Sequence, residues 1–97
     1  MTALSPHFTL AELETTSTGI ANHTPPDVIP LLRALCSAVL EPLRERVGPL
    51  RVNSGYRSKA VNRAVGGSST SQHAKGEAAD VTPLSSPRSE VWTVLLS

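Results

Sequence analysis

The sequence has few cysteines and few aromatic residues, which often stabilise small domains or form their binding sites. Its 97 residues include one cysteine and only 3% aromatic residues. A single cysteine excludes an internal disulfide and leaves the redox compartment open, with a lean towards a reducing one. Cys36 lies in the apolar series of a predicted helix, which favours a small buried hydrophobe over a nucleophile or metal ligand. Leu, Val and Ala must therefore form most of the core.

Other features that the sequence lacks argue against nucleic-acid and membrane partners and against a signal peptide. The net charge is +1, and no basic run or Arg–aromatic interleaving occurs, which predicts no nucleic-acid or polyanion partner. No apolar run approaches the length of a membrane-spanning helix, which predicts no membrane partner. The start "MTALSPHFTL" lacks a basic region followed by an apolar core. We therefore expect no signal peptide and a cytoplasmic location, unless lysis or another route releases the protein.

Two helices have clear signals in the first half of the chain. Thr9 and Glu12 form a capping box that predicts a short helix at "TLAEL". A longer helix is predicted from an N-cap at Thr24, with bends or a delayed start at Pro30 and Pro42. Its apolar residues recur at steps of three or four: Val28, Leu32, Leu35, Val39, Leu43 and Val47. This stripe must pack against another part of the domain.

The second half alternates short strands and helices. Strands are predicted at 50–53 and 77–82, with a short helix at "KAVNRAV" between them. The tail "SSPRSEVWTVLLS" resembles the start of another helix, with Ser86 as the cap, Pro87 first inside it and Glu90 in its first turn. The order of elements predicts a single α+β domain over 1–97.

The stretch "SSTSQHAKGEAADV" carries the candidate chemistry. In a strand over 77–82, side chains alternate between two faces. One face has Ala78, Asp80 and Thr82, and the other has Glu77, Ala79 and Val81. Gly76 allows a turn that would bring His73 back towards Asp80, and imidazole plus carboxylate suits zinc. Spacing alone still favours an exposed loop histidine and a strand-end carboxylate without a metal.

Two motifs shift this interpretation. The segment "SQHAKGEAAD" matches the Ser-x-His-x-x-Gly-x-Ala-x-Asp signature of the zinc D-Ala-D-Ala carboxypeptidase family, with its Hedgehog-like peptidase fold. The upstream "SGYRS" and "FTLAEL" resemble the phage-endolysin-type branch of that family. The resemblance covers residues 8–81. It implies a small antiparallel sheet packed on helices, and hydrolysis of peptidoglycan stem peptides.

The resemblance also implies roles for individual residues. His73 and Asp80 would be the first two zinc ligands. Arg57 would hold the substrate or the oxygen that becomes negative, while a surface salt bridge is the alternative for this residue. Ser71 would hydrogen-bond near the pocket, and Tyr56 would form one wall of it.

The chain departs from the family pattern after Asp80. No third ligand histidine and no catalytic glutamate follow, in either a Glu-x-x-His or a Trp-x-His stretch. Four possible substitutes are poor ones: His7 and His23 are expected on the surface, Glu77 faces away from Asp80, and Glu90 suits a helix start.

These departures predict a partial site with weak zinc binding. They also predict that the C-terminal strand beside the active-site strand is missing, leaving an unpaired sheet edge that invites self-association. We interpret the chain as a truncated member (a premature stop, a frameshift or a fragment) with 84–97 as a non-family or out-of-frame tail. It would then be a peptidase-like domain without activity. The alternatives are a non-catalytic cell-wall or protein-binding module and a plain scaffold.

Overall fold

A computed structural model describes residues 2–67, 71–85 and 90–96 and shows the predicted α+β class. The helices are α1 (Leu10–Leu13), α2 (Ile29–Leu35), α3 (Glu41–Val47) and α4 (Lys59–Ala64). The strands are β1 (Ala3–Ser5), β2 (Phe8–Thr9), β3 (Leu50–Ser54), β4 (Ala78–Pro83) and β5 (Trp92–Leu95). β1 and β2 form a small hairpin, and the other strands form an antiparallel sheet in the order β3-β4-β5. No helix in the described part of the chain is both long and apolar enough to span a membrane.

The capping box of α1 is present as predicted. The Glu12 amide donates to the Thr9 hydroxyl oxygen at 3.3 Å, and the Glu12 carboxylate accepts from the Thr9 amide at 3.1 Å. The prediction of Thr24 as the N-cap of the long helix is wrong, because regular helix begins only at Ile29 with Pro30 in its first turn. The Thr24 amide instead donates to the Glu14 carboxylate at 2.6 Å.

The long helix adapts to Pro42 through a wider turn. A π-helical turn, Cys36–Leu40, joins α2 to α3, and the Glu41 amide donates to the Cys36 carbonyl oxygen. Pro42 has no amide proton, and in a regular helix its ring would clash with the carbonyl four residues earlier. A π-helical turn directly before the proline relieves this conflict, so the helix continues to Val47.

The predicted stripe of the long helix faces the core. Leu32 and Leu35 are fully buried, and the other members, Val28, Val39, Leu43 and Val47, pack against the same cluster. Leu40, which was not part of the predicted stripe, is also fully buried. The cluster is completed by residues from both sheets and from α1, among them Leu4, Phe8, Leu13, Leu50, Val52, Ala79 and Val81. Cys36 is a buried free thiol, as expected. Burial, reinforced by the negative charges of Glu41 and Glu12, raises its pKa to about 12, so the thiol stays protonated.

Two predictions about the C-terminal segment are wrong. Residues 92–95 form strand β5 rather than a helix, and β5 pairs antiparallel with β4, with Asp80 opposite Thr93. β5 therefore covers the edge of β4 that was expected to be unpaired, and β3 and β5 are the outer strands of this sheet. The predicted helix start at Ser86 and Pro87 lies outside the described residues.

The side chains explain why β5 is a strand. Trp92 and Val94 pack against the core, whereas Thr93 and Leu95 are exposed on the other face. Aromatic and β-branched residues with this alternation suit a half-buried strand. Glu90 does not sit in a helical turn, and its carboxylate accepts from the Trp92 indole N–H at 3.1 Å.

Candidate functional site

A tight turn before β4 carries His73 into the interior. The turn covers residues 72–76 and closes with a bond from the Gly76 amide to the His73 carbonyl at 3.2 Å. Gly76 has a φ of 75°, and a Cβ there would lie 2.5 Å from a methyl group of Val28. Glycine is therefore required both for the left-handed backbone and for the close approach of the long helix. His73 ends up only 7% exposed.

The two ring nitrogens of His73 face different partners. Nδ1 lies 2.8 Å from the Gly55 carbonyl oxygen, and Nε2 lies 3.3 Å from Oδ1 of Asp80. A carbonyl oxygen can only accept, so Nδ1 carries the proton that fills this bond. In the neutral ring, the lone pair of Nε2 then points towards a carboxylate oxygen. A proton or a metal cation between these two atoms makes the contact favourable.

Asp80 is held in place from two more sides. The Thr93 hydroxyl donates to Oδ1 at 2.7 Å, and Nη2 of Arg57 donates to Oδ2 at 3.3 Å. The neighbours Ala79 and Val81 are buried in the core on the opposite face of β4, as strand alternation predicted. The carboxylate is thus oriented before any ligand arrives.

Arg57 connects the histidine turn to β3. Its amide donates to the His73 carbonyl oxygen at 3.0 Å, and its Nε donates to the Ser54 hydroxyl at 3.1 Å. The side chain is 17% exposed, so its ion pair with Asp80 is partly buried rather than a surface bridge. Arg57 also lines a groove between α4, the segment before α2 and the turn that carries His73. Its side chain therefore contacts the Asp80 carboxylate and borders this groove.

The two other predicted site residues lie next to this cluster. The Ser71 hydroxyl accepts from the His73 amide at 3.2 Å and stabilises the start of the turn. Tyr56 is 7% exposed, and it lines the same groove as Arg57. Burial, with the negative charges of Asp27 and Glu14, raises the pKa of Tyr56, so its hydroxyl remains protonated at neutral pH.

The residues considered as substitute ligands lie elsewhere. The ring of the exposed His7 binds the Glu41 carboxylate at 2.7 Å, and His23 is exposed. Glu77 precedes β4, outside the face that carries Asp80. Within the described ranges, no group of three or more His, Cys, Asp or Glu side chains is placed to hold a metal ion.

Sequence reasoning missed Asn22, which positions the segment around Arg57. Its side-chain amide donates to the carbonyl oxygens of Glu14 and Tyr56 at 3.0 and 2.8 Å. Its side-chain oxygen accepts from the Ser58 amide at 2.7 Å. The residue is 6% exposed. A buried asparagine bonded on both sides fixes the path of the chain on either side of Arg57, and its only signal in the sequence was a polar connection.

We predict that Asn22→Leu destabilises the domain by about 2–4 kcal/mol, because the substitution leaves buried backbone groups without partners. Urea unfolding measures this change. The neighbouring exposed residue offers a matched control, since His23→Ala should stay within about 0.5 kcal/mol of the unsubstituted protein. Equal stability of the two variants would show that the Asn22 bonds do not support the fold.

Comparison with known families agrees with this architecture. A sequence model of Peptidase M15 matches residues 6–96, which include every helix and both strands that flank Asp80. The chain belongs to the Peptidase M15 family. M15 enzymes are in general zinc-dependent peptidases. No curated protein matches the chain. The M15 membership supports a peptidase-type domain, while the roles of His73, Asp80 and Arg57 stay predictions.

Proposed function

We propose that this M15 domain is a zinc metallopeptidase-like module for peptidoglycan stem peptides, of the D-Ala-D-Ala carboxypeptidase or endolysin type, and that His73 and Asp80 are its metal ligands. The observation that carries the proposal is the orientation of the His73 ring, with Nδ1 bonded to the Gly55 carbonyl and Nε2 directed at Asp80. Zinc-binding histidines usually donate their second ring N–H to a carbonyl or carboxylate in this way.

The donor set fits zinc in type but not in number. An imidazole nitrogen and a carboxylate oxygen are ordinary zinc ligands, and catalytic sites usually have three from the protein. The described residues supply two, so we propose a partial site with weak affinity. Zinc, when bound, polarises a peptide carbonyl and lowers the pKa of a bound water.

Arg57 is proposed as the substrate-holding residue. Its guanidinium is always charged, is planar and has five N–H donors. One nitrogen contacts Asp80 and another contacts Ser54, and the side chain also borders the groove. A peptide carbonyl or terminal carboxylate arriving there would meet a fixed positive charge beside the metal ligands. Tyr56 would wall this end of the groove, and Ser71 would keep the histidine turn in shape.

For these 97 residues alone, we propose binding with little or no turnover. The side-chain partners of His73 and Asp80 in the described part of the chain are Arg57, Thr93 and each other, and no glutamate is among them. We therefore propose none of the described glutamates as a general base at this pair. The second candidate function, a non-catalytic cell-wall or protein-binding module on the same fold, rests on this arrangement.

The test is to incubate the zinc-supplemented domain with a stem pentapeptide and with purified peptidoglycan, measuring released D-alanine, new amino termini and bound protein. We expect binding and little release. Zinc-dependent release that His73→Ala abolishes would establish an active peptidase at this site. Release that survives His73→Ala would contradict the proposed site. If the domain neither bound nor cleaved these substrates, both candidate functions would be contradicted. His23→Ala controls for the loss of a histidine.

A further inference from the structure

A basic groove lies directly beside the proposed metal site. It has a volume of about 600 Å³ and runs between α4, the segment before α2 and the histidine turn. Small-molecule and cofactor sites typically have volumes of about 300–1,000 Å³. Arg57 links the groove to the proposed metal site, because it lines the groove and its Nη2 also donates to Asp80.

The groove collects positive charge from separate parts of the chain. Among the described residues, its charged lining consists of Arg57, Lys59, Arg63 and Lys75 against one carboxylate, Asp27. Lys59, Arg63 and Lys75 are exposed. Their side chains make no ion pair or hydrogen bond within the described ranges. No basic run marks these residues in the sequence, because folding brings them together.

The positive charges of Lys59 and Arg63 repel each other on helix α4. Lys59 and Arg63 are four residues apart on α4, and therefore lie on one face of a helix of only six residues. Like charges at this spacing destabilise a helix slightly. An anionic ligand in the groove would relieve this repulsion.

The rest of the lining favours a peptide over a nucleic acid. Pro25, Val28 and Ala74 supply apolar surface between the basic side chains. The aromatic residue of the groove, Tyr56, is buried and offers little face for stacking a base. Apolar surface and spaced cations suit a chain of small apolar residues with carboxylate side groups.

We propose that this groove, defined by Lys59, Arg63 and Lys75, binds a peptide segment that carries side-chain carboxylates and directs it towards Arg57. The proposal rests on the proposed function in naming a stem peptide as the ligand. Affinity should depend on the peptide carboxylates and should fall as ionic strength rises, since the basic side chains are exposed.

The experiment measures the dissociation constant of a fluorescent stem pentapeptide with a free glutamate carboxylate, and of the same peptide with that carboxylate amidated. The double variant Lys59→Gln/Arg63→Gln should weaken binding of the acidic peptide by about three- to tenfold, the scale of two exposed ion pairs. It should leave binding of the amidated peptide nearly unchanged. The matched control Arg44→Gln/Arg46→Gln removes the same charge from α3, away from the groove.

Repeating the titrations with EDTA and in His73→Ala separates the groove from the metal site. Charge-dependent binding that persists under both conditions supports the groove whatever the role of zinc. Equal affinity for the acidic and amidated peptides, or equal loss in the groove and control variants, would overturn the proposal while leaving the metal site standing. Tighter binding of a polyphosphate of equal charge would overturn it in favour of a polyanion site. Thermal unfolding of both variants confirms that they fold.

Discussion

A His73→Ala chain should bind zinc at least about 100-fold more weakly than the unsubstituted domain. Loss of a residue that merely supports a zinc ligand typically costs about 10–100-fold in affinity, so loss of a ligand should cost more. The imidazole is already oriented by its bond to Gly55, and Nε2 already faces Asp80 at 3.3 Å. Little ordering is then required when the ion binds, and removing the ring removes this advantage completely.

Substitution of Asp80 should also weaken zinc binding, and two different substitutions separate the loss of the charge from the loss of the oxygen donor. Asp80→Ala removes the second donor, whereas Asp80→Asn keeps one oxygen and the shape but removes the charge. We expect affinity to decrease in the order Asp80, Asn, Ala. Competition against a chromophoric zinc chelator measures all of these variants.

The control uses a histidine outside the site. His23 is exposed and lies in the polar connection before α2, so His23→Ala should leave zinc affinity unchanged. Zinc affinity that survives His73→Ala but falls in His23→Ala would place the metal elsewhere. Retained affinity in both would mean that the ion binds nonspecifically.

Local signals in the sequence predicted local structure well. The Thr9–Glu12 capping box, the apolar stripe and the α4 helix depend on contacts within a few residues, and all are present. The C-terminal strand depends instead on pairing with β4, about fourteen residues away. The pattern at Ser86 and Pro87 resembles the start of a helix. Such a local pattern carries no information about pairing with β4, so it predicted a helix.

In the candidate site, too, contacts between residues close in sequence were easier to predict than contacts between distant ones. The turn at Gly76 allowed His73 to approach Asp80, but spacing alone favoured an exposed loop histidine, and only the resemblance to the peptidase signature paired the two residues. Their side chains lie 3.3 Å apart. The roles of Asn22 and Thr93 could not be predicted, because their partners are distant in the sequence or belong to a strand that had been interpreted as a helix. The basic groove was missed for the same reason, since its charges come from different elements.

Thr93→His should convert the half-site into a tighter zinc site. Thr93 stands opposite Asp80 in the β4–β5 register, and its hydroxyl oxygen lies 2.7 Å from Oδ1 of Asp80. It is exposed on the face of β5 that carries no core residue, so an imidazole fits there without disturbing the packing of Trp92 and Val94. Three protein ligands are the usual complement of a catalytic zinc site. We expect affinity to rise by on the order of 100-fold, the upper end of the effect of a residue that only supports a zinc ligand.

Two variants separate a third ligand from the loss of the threonine hydroxyl. Thr93→Val removes the bond to Asp80 and adds no donor, so it should weaken zinc binding modestly. Leu31→His adds an exposed histidine on α2, outside the site, and should leave affinity unchanged. The gain must also disappear when Thr93→His is combined with His73→Ala, since the new imidazole would then replace a ligand instead of adding one. A Thr93→His chain that binds zinc no better than Thr93→Val would show that β5 does not face the metal position.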